Sequence, residues 1–170
     1  MMGKTNQRGF VLVEASVAYI VLSLALVSLL PLFILSIRAN KYTEIVKVST
    51  QLSVELLEEI RLRRWDESTP LRAKAIPSGA AIGLDADEAS NDKRTFDDID
   101  DFNGWSEGAV VDPVMRPIPE FAAYSRSVEV MYVDANMKSA QEITDFKQVR
   151  VCTKGRERDP LCIDTLFTNR

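Results

Sequence analysis

Residues Arg8 to Glu14 read R-G-F-V-L-V-E, and Glu14 is the single charged residue in an apolar run from Phe10 to Ile37. A charged side chain near the centre of a bilayer costs about 2.5–3.5 kcal/mol on insertion scales, so an ionisable residue there marks a functional site. The chemistry open to it is pairing with a cation. If the chain is cut between Gly9 and Phe10, the new terminal amine at Phe10 stays largely protonated at neutral pH, because its unperturbed pKa is about 7.7–8.0. Glu14 would then neutralise its own terminal amine or that of a neighbouring copy, and a register in which neither pairing forms is penalised. The bland alternative is a carboxylate that snorkels to the nearer interface, helped by the positive end of the helix dipole. That alternative leaves the Gly9–Phe10 junction and the basic residues Lys4 and Arg8 before it unexplained.

A second group of reactive residues lies in F-D-D-I-D-D-F-N-G-W, from Phe96 to Trp105, where Asp97, Asp98, Asp100, Asp101 and Asn103 offer hard oxygen ligands suited to Ca²⁺. An EF-hand does not fit. With Gly104 at the sixth loop position, Ile99 falls at the first and Val110 at the twelfth, where carboxylates are required. The stretch is therefore read as a solvated acidic turn anchored by Phe96, Phe102 and Trp105, with a Ca²⁺ site of another kind as the alternative. Cys152 and Cys162 form a pair too small for a metal cage and suited to a structural disulfide in an oxidising compartment. Pairing would close a loop holding Lys154, Arg156, Glu157, Arg158 and Asp159. The chain has no histidine, which removes the commonest acid–base residue and the commonest metal ligand. No nucleophile–base pair, phosphate loop or metal-ligand spacing is present, so an enzyme is not expected. A net charge of -4 argues against nucleic acid as a partner, since phosphate binding needs concentrated Lys and Arg.

The elements that position these residues begin with a helix. Phe10 to Ile37 exceeds the roughly 20 residues needed to cross the hydrocarbon core. The preceding segment is short and basic, so the positive-inside rule keeps it in the cytoplasm and translocates the rest. No A-x-A-like site follows promptly, so the anchor is expected to be retained rather than removed as a secretory signal. Beyond Asn40, the apolar residues Ile45, Val48, Leu52, Leu56 and Ile60 recur at steps of three or four, with Lys47, Glu55, Glu58, Glu59, Arg63 and Arg64 on the opposite face. One helix over residues 10 to 65 is expected, interrupted in its membrane half by Pro31, which kinks or loosens it. The cluster Arg61, Arg63 and Arg64 suits the C-terminal dipole, and Trp65 is expected to cap the core. Ser68 to Thr95, with Pro70, Pro77, Gly79 and Gly83, reads as a connecting excursion. Strand character follows: Ala123 to Val133 alternates Tyr124, Val128, Val130 and Tyr132 on one face, and 146–153 and 161–167 supply two more strands. The resulting organisation is a leader at 1–9, a membrane helix at 10–38, its amphipathic continuation at 39–66, a connecting region with the acidic stretch at 67–120, and antiparallel strands with the cysteine loop at 121–170. The fold class is α+β, a long helix packed on a small antiparallel sheet.

Gly9, Phe10 and Glu14, with the short basic leader, the apolar helix and Pro31, resemble type IV prepilins over about the first third of the chain. The resemblance implies a pilin-like roll, cleavage after Gly9 and N-methylation of Phe10 by a prepilin peptidase/N-methyltransferase. It also implies assembly with other pilin subunits through Phe10, Glu14 and Pro31. It places the chain in the inner membrane with a periplasmic C-terminal domain, and then in a surface filament. A C-terminal disulfide loop of this general kind lies on the filament surface in many type IV pilins. The D-D-I-D-D-F-N-G stretch is similar to minor pilins of the mannose-sensitive haemagglutinin type. A pseudopilin of a type II secretion system shares the processing signal and helix. A membrane-anchored ligand-binding protein that does not polymerise is the alternative of another class.

Overall fold

A computed structural model describes residues 7–65, 82–85, 88–140, 142–155 and 159–169. Lys4 of the leader, Pro70, Pro77 and Gly79 of the excursion, and Arg156, Glu157 and Arg158 of the hairpin lie outside the described residues. The chain divides into two compact units, Met1–Glu44 and Ile45–Arg170.

Helix α1 runs Gln7–Arg61 with Pro31 inside it. In the first unit every residue from 10 to 44 is exposed, so the apolar side chains have no protein cover. The hydroxyls of Ser16, Ser23 and Ser28 donate to the carbonyls of Leu12, Tyr19 and Ala25 at 2.8, 2.7 and 2.7 Å. These bonds let three polar side chains sit on an apolar helix without an unmet donor, the condition lipid imposes.

In the second unit Leu52, Leu56 and Ile60 are fully buried, as their spacing predicts, and Leu57 joins them. The helix stops at Arg61, earlier than the periodicity suggests. Its last turn tightens through Arg63 N–H to the Ile60 carbonyl at 3.0 Å, and the backbone of Arg64 is then taken by another segment. Arg64 N–H donates to the Asp97 carbonyl at 3.2 Å and its carbonyl accepts from Ile99 N–H at 3.1 Å. The acidic stretch thus competes with the helix for Arg64 and wins.

Four strands, β1 (Ser106–Glu107), β2 (Tyr124–Tyr132), β3 (Phe146–Gly155) and β4 (Leu161–Thr168), form one sheet in chain order. All neighbours are antiparallel. The two-residue β1 is too short to show a period-2 pattern, which is why periodicity misses it. The register stacks Val128, Val151 and Ile163 in one row and Val130, Val149 and Thr165 in the next. These valines pack with Leu56, Leu57, Ile60, Phe96, Phe102 and Trp105 in a single core. Phe96 sits edge-on to Phe102 at 5.0 Å and to Trp105 at 5.4 Å. Gly155 faces Tyr124 across β2 and β3, and a Cβ there would approach the Tyr124 ring to 3.3 Å.

The interior also holds charge. Arg126 shares the strand face of Val128 and Val130, and its Nε and Nη2 donate to Glu107 Oε2 at 2.8 and 2.6 Å. Arg126 also donates to the carbonyls of Leu52 at 3.2 Å and Val111 at 2.9 Å. Lys93, fully buried, meets Glu59 at 2.8 Å and Glu107 at 3.3 Å. Glu59 therefore turns toward Lys93 rather than lying on an open polar face. Two acids and two bases cancel, and Trp105 Nε1 donates to Glu107 at 3.1 Å to fill a remaining acceptor.

Arg126→Met should destabilise the second unit by about 3–5 kcal/mol, because Glu107 would stay buried short of a cation. Arg150→Ala, which removes the exposed pair with Asp164 at 2.7 Å, should cost no more than about 1 kcal/mol. Urea unfolding of the detergent-solubilised chain, followed by tryptophan fluorescence, measures both.

Candidate functional site

Gly9 and Phe10 lie in the first turn of α1 and Glu14 one turn further on, a spacing that puts Phe10 and Glu14 on the same helix face. Phe10 is 72% exposed and Glu14 is exposed. Among the described residues no ion pair reaches Glu14. The same helix reaches a mean hydropathy of 2.7 over an 18-residue window, and it is long and apolar enough to cross a membrane. Its apolar part is a candidate anchor, with Glu14 near its start.

The acidic stretch is built differently from a solvated turn. Asp98, Asp100 and Asp101 are buried, and each is committed to its own partners. Asp101 Oδ2 accepts from the backbone N–H groups of Asp97 and Asp98, both at 2.9 Å. Asp98 Oδ1 accepts from Asp100 N–H at 2.9 Å. Asp100 pairs with Lys147 Nζ at 2.5 Å, and that ammonium also donates to the Trp65 carbonyl at 2.6 Å and stands 4.9 Å from the Trp65 ring centre. Asn103 Oδ1 accepts from Val130 N–H at 3.0 Å, fastening the stretch to β2. Of the five residues expected as Ca²⁺ ligands, Asp98, Asp100 and Asn103 are thus committed to separate partners, while Asp97 and Asp101 stay together. The carboxylates with oxygens within 4.8 Å of one another are Glu88, Asp97 and Asp101. Burial raises the Asp101 carboxyl, and its hydrogen bond to Glu88 raises it further, to about 8. Burial and a hydrogen bond with Asp98 push Asp100 up to about 7, against the pull of Lys147.

Cys152 and Cys162 are register partners on β3 and β4 and form a disulfide with an S–S distance of 2.02 Å. They lie on the sheet face opposite the valine rows. On that face Arg150 bridges Asp164 at 2.7 Å and Glu129 at 3.7 Å, so the basic character of the hairpin is partly neutralised within the sheet.

The long apolar helix and the disulfide-bearing antiparallel sheet define an α+β protein with a candidate membrane anchor. No known protein family, curated protein or solved structure matches the chain. Sequence reasoning missed Lys93, Glu107, Arg126 and Lys147 as structural charges. A signal existed for Arg126: it has the same parity as Val128 and Val130 on a strand whose face is otherwise apolar.

Two outcomes are expected in chelator-containing buffer. Unfolded Asp101 ionises near its ordinary value of 3.8, whereas the fold holds the proton up to about 8. Across that window the unfolded chain binds fewer protons, so stability falls as pH rises. Asp101→Asn should flatten the fall, as seen in unfolding midpoints measured from pH 4 to 8. Replacing both cysteines by serine should cost about 2–3 kcal/mol, measured by urea unfolding.

Proposed function

We propose that the chain is a minor type IV pilin-like structural subunit, cut after Gly9 and assembled through its N-terminal helix into a pilus or its initiation complex. The observation that carries this reading is the junction itself. A glycine–phenylalanine pair lies in the first turn of α1, and a carboxylate with no ion pair among the described residues follows one turn later on an exposed helix. Lipid alone is a poor final home for that carboxylate. A bundle of like helices supplies a cation at each copy's new terminus and covers the apolar face at the same time. On this reading a prepilin peptidase/N-methyltransferase acts at Gly9 and Phe10, and methylation leaves the charge in place. The second unit, a helix on an antiparallel sheet closed by Cys152–Cys162, is the pilin-like roll displayed on the periplasmic side and then on a surface filament. Its role is assembly, not turnover. Pro31, inside the anchor, supplies the local loosening that lets neighbouring helices fit.

A pseudopilin of a type II secretion system uses the same residues in the same way, and the two differ in the inner-membrane platform they meet. An anchored binding protein that does not polymerise would leave the leader intact and be indifferent to Glu14.

The test is the N-terminal residue and mass of the protein from membranes and from sheared filaments, for the natural chain, Gly9→Ala and Glu14→Ala. N-methylated Phe10 is expected in the natural chain and absent in Gly9→Ala, with Glu14→Ala missing from sheared material. An intact leader on the natural chain would overturn the reading.

A further inference from the structure

The sheet ends on one side in β1, two residues long, and on the other in β4, which has eight. β4 pairs with β3 without interruption, from Leu161 opposite Thr153 to Thr168 opposite Phe146. Asn169 N–H donates to the Asp145 carbonyl at 3.1 Å and continues the same register. Hydrogen-bonded and non-bonded pairs alternate along an antiparallel ladder. The odd-numbered residues of β4 therefore bond to β3, whereas Cys162, Asp164, Leu166 and Thr168 aim their backbone N–H and C=O groups away from it. The 4.0 Å between the α-carbons of Cys152 and Cys162 agrees, because the non-bonded pairs are the closer kind. Among the described residues no backbone group bonds to this outer row.

The apolar layer is unfinished at the same edge. Val151 and Val149 are fully buried, but their partners Ile163 and Thr165 are half-buried, and so are Leu161 and Phe167. Ile163 and Phe167 touch the core and still stand open on the far side. Edge strands that stay single are commonly shortened, bulged or interrupted by proline. β4 has none of these within its span.

We propose that β4 is a docking edge for an extended, basic segment of another protein, which adds antiparallel as a fifth strand. Donors and acceptors that recur at every second residue match an extended backbone, and alternate apolar side chains on that segment would cover Ile163 and Phe167. Charge selects its sign. Residues 159–169 carry Asp159 and Asp164 and no base, and Asp145 is exposed opposite Asn169. Arg150 takes up Asp164 at 2.7 Å. Asp145 and Asp159, one near each end of the edge, have no ion pair among the described residues. A second copy of β4 would bring the same acids to the contact, whereas lysine or arginine on an incoming strand is complementary. The edge lies on the sheet and not on α1, so the inference stands whether or not the chain is cut after Gly9.

The test uses the full chain in detergent with its disulfide intact, and as probe a nine-residue peptide alternating valine with lysine. Amide hydrogen exchange read by NMR should show new protection at Cys162, Asp164, Leu166 and Thr168. Ile163, Thr165 and Phe167, already bonded to β3, should not change. Full backbone N-methylation of the peptide should weaken binding at least about tenfold, because several hydrogen bonds are lost together. Leu166→Pro should act in the same direction while keeping the β3 pairing, since it removes an outward N–H. Glutamate in place of the peptide's lysines should also weaken binding about tenfold. No new protection, protection at the odd-numbered residues, or binding indifferent to peptide N-methylation or to the sign of its charge would overturn the proposal.

Discussion

The second unit depends on one buried ionic arrangement, with Glu107 held between Arg126 and Lys93 and Glu59 completing the set. Four segments distant in sequence contribute: the end of α1, the loop before the acidic stretch, the short strand β1, and β2. Arg126 also binds the Leu52 carbonyl, so a strand side chain reaches the helix backbone directly. Apolar packing alone would let the helix slide or rotate over a row of valines with little change in buried area. Fixed charges inside a low-dielectric core allow no such freedom, because any displacement leaves one of them unpaired.

The same logic operates at the other end of the core. Lys147 rises from β3 into a space bounded by Asp100, the Trp65 carbonyl and the faces of Trp65 and Tyr132. The acidic stretch is thereby a structural element rather than a surface decoration. It ends the helix by taking the Arg64 backbone, it neutralises Lys147, and through Asn103 it bonds to β2. Burial favours the protonated form of Asp101, and it also raises Asp100, against the pull of Lys147.

The first unit has the opposite character. Among its described residues nothing covers its apolar surface, and Glu14 has no ion pair. A well-packed unit thus follows a helix whose apolar surface stands open.

The sequence by itself determined the long apolar helix, the α+β class and the pairing of Cys152 with Cys162. It also determined the burial of Leu52, Leu56 and Ile60 and the position of the three long strands, because each rests on periodicity or proximity along the chain. The tertiary structure decided the rest. Whether Asp100 is a metal ligand, a solvated acid or the partner of Lys147 depends on a residue 47 positions away. The inward turn of Glu59 depends on Lys93, 34 positions away. A two-residue strand carries no pattern of its own and exists because β2 offers it an edge. Local spacing encodes which face of an element is apolar; which buried charges neutralise one another is a property of segments brought together only by folding.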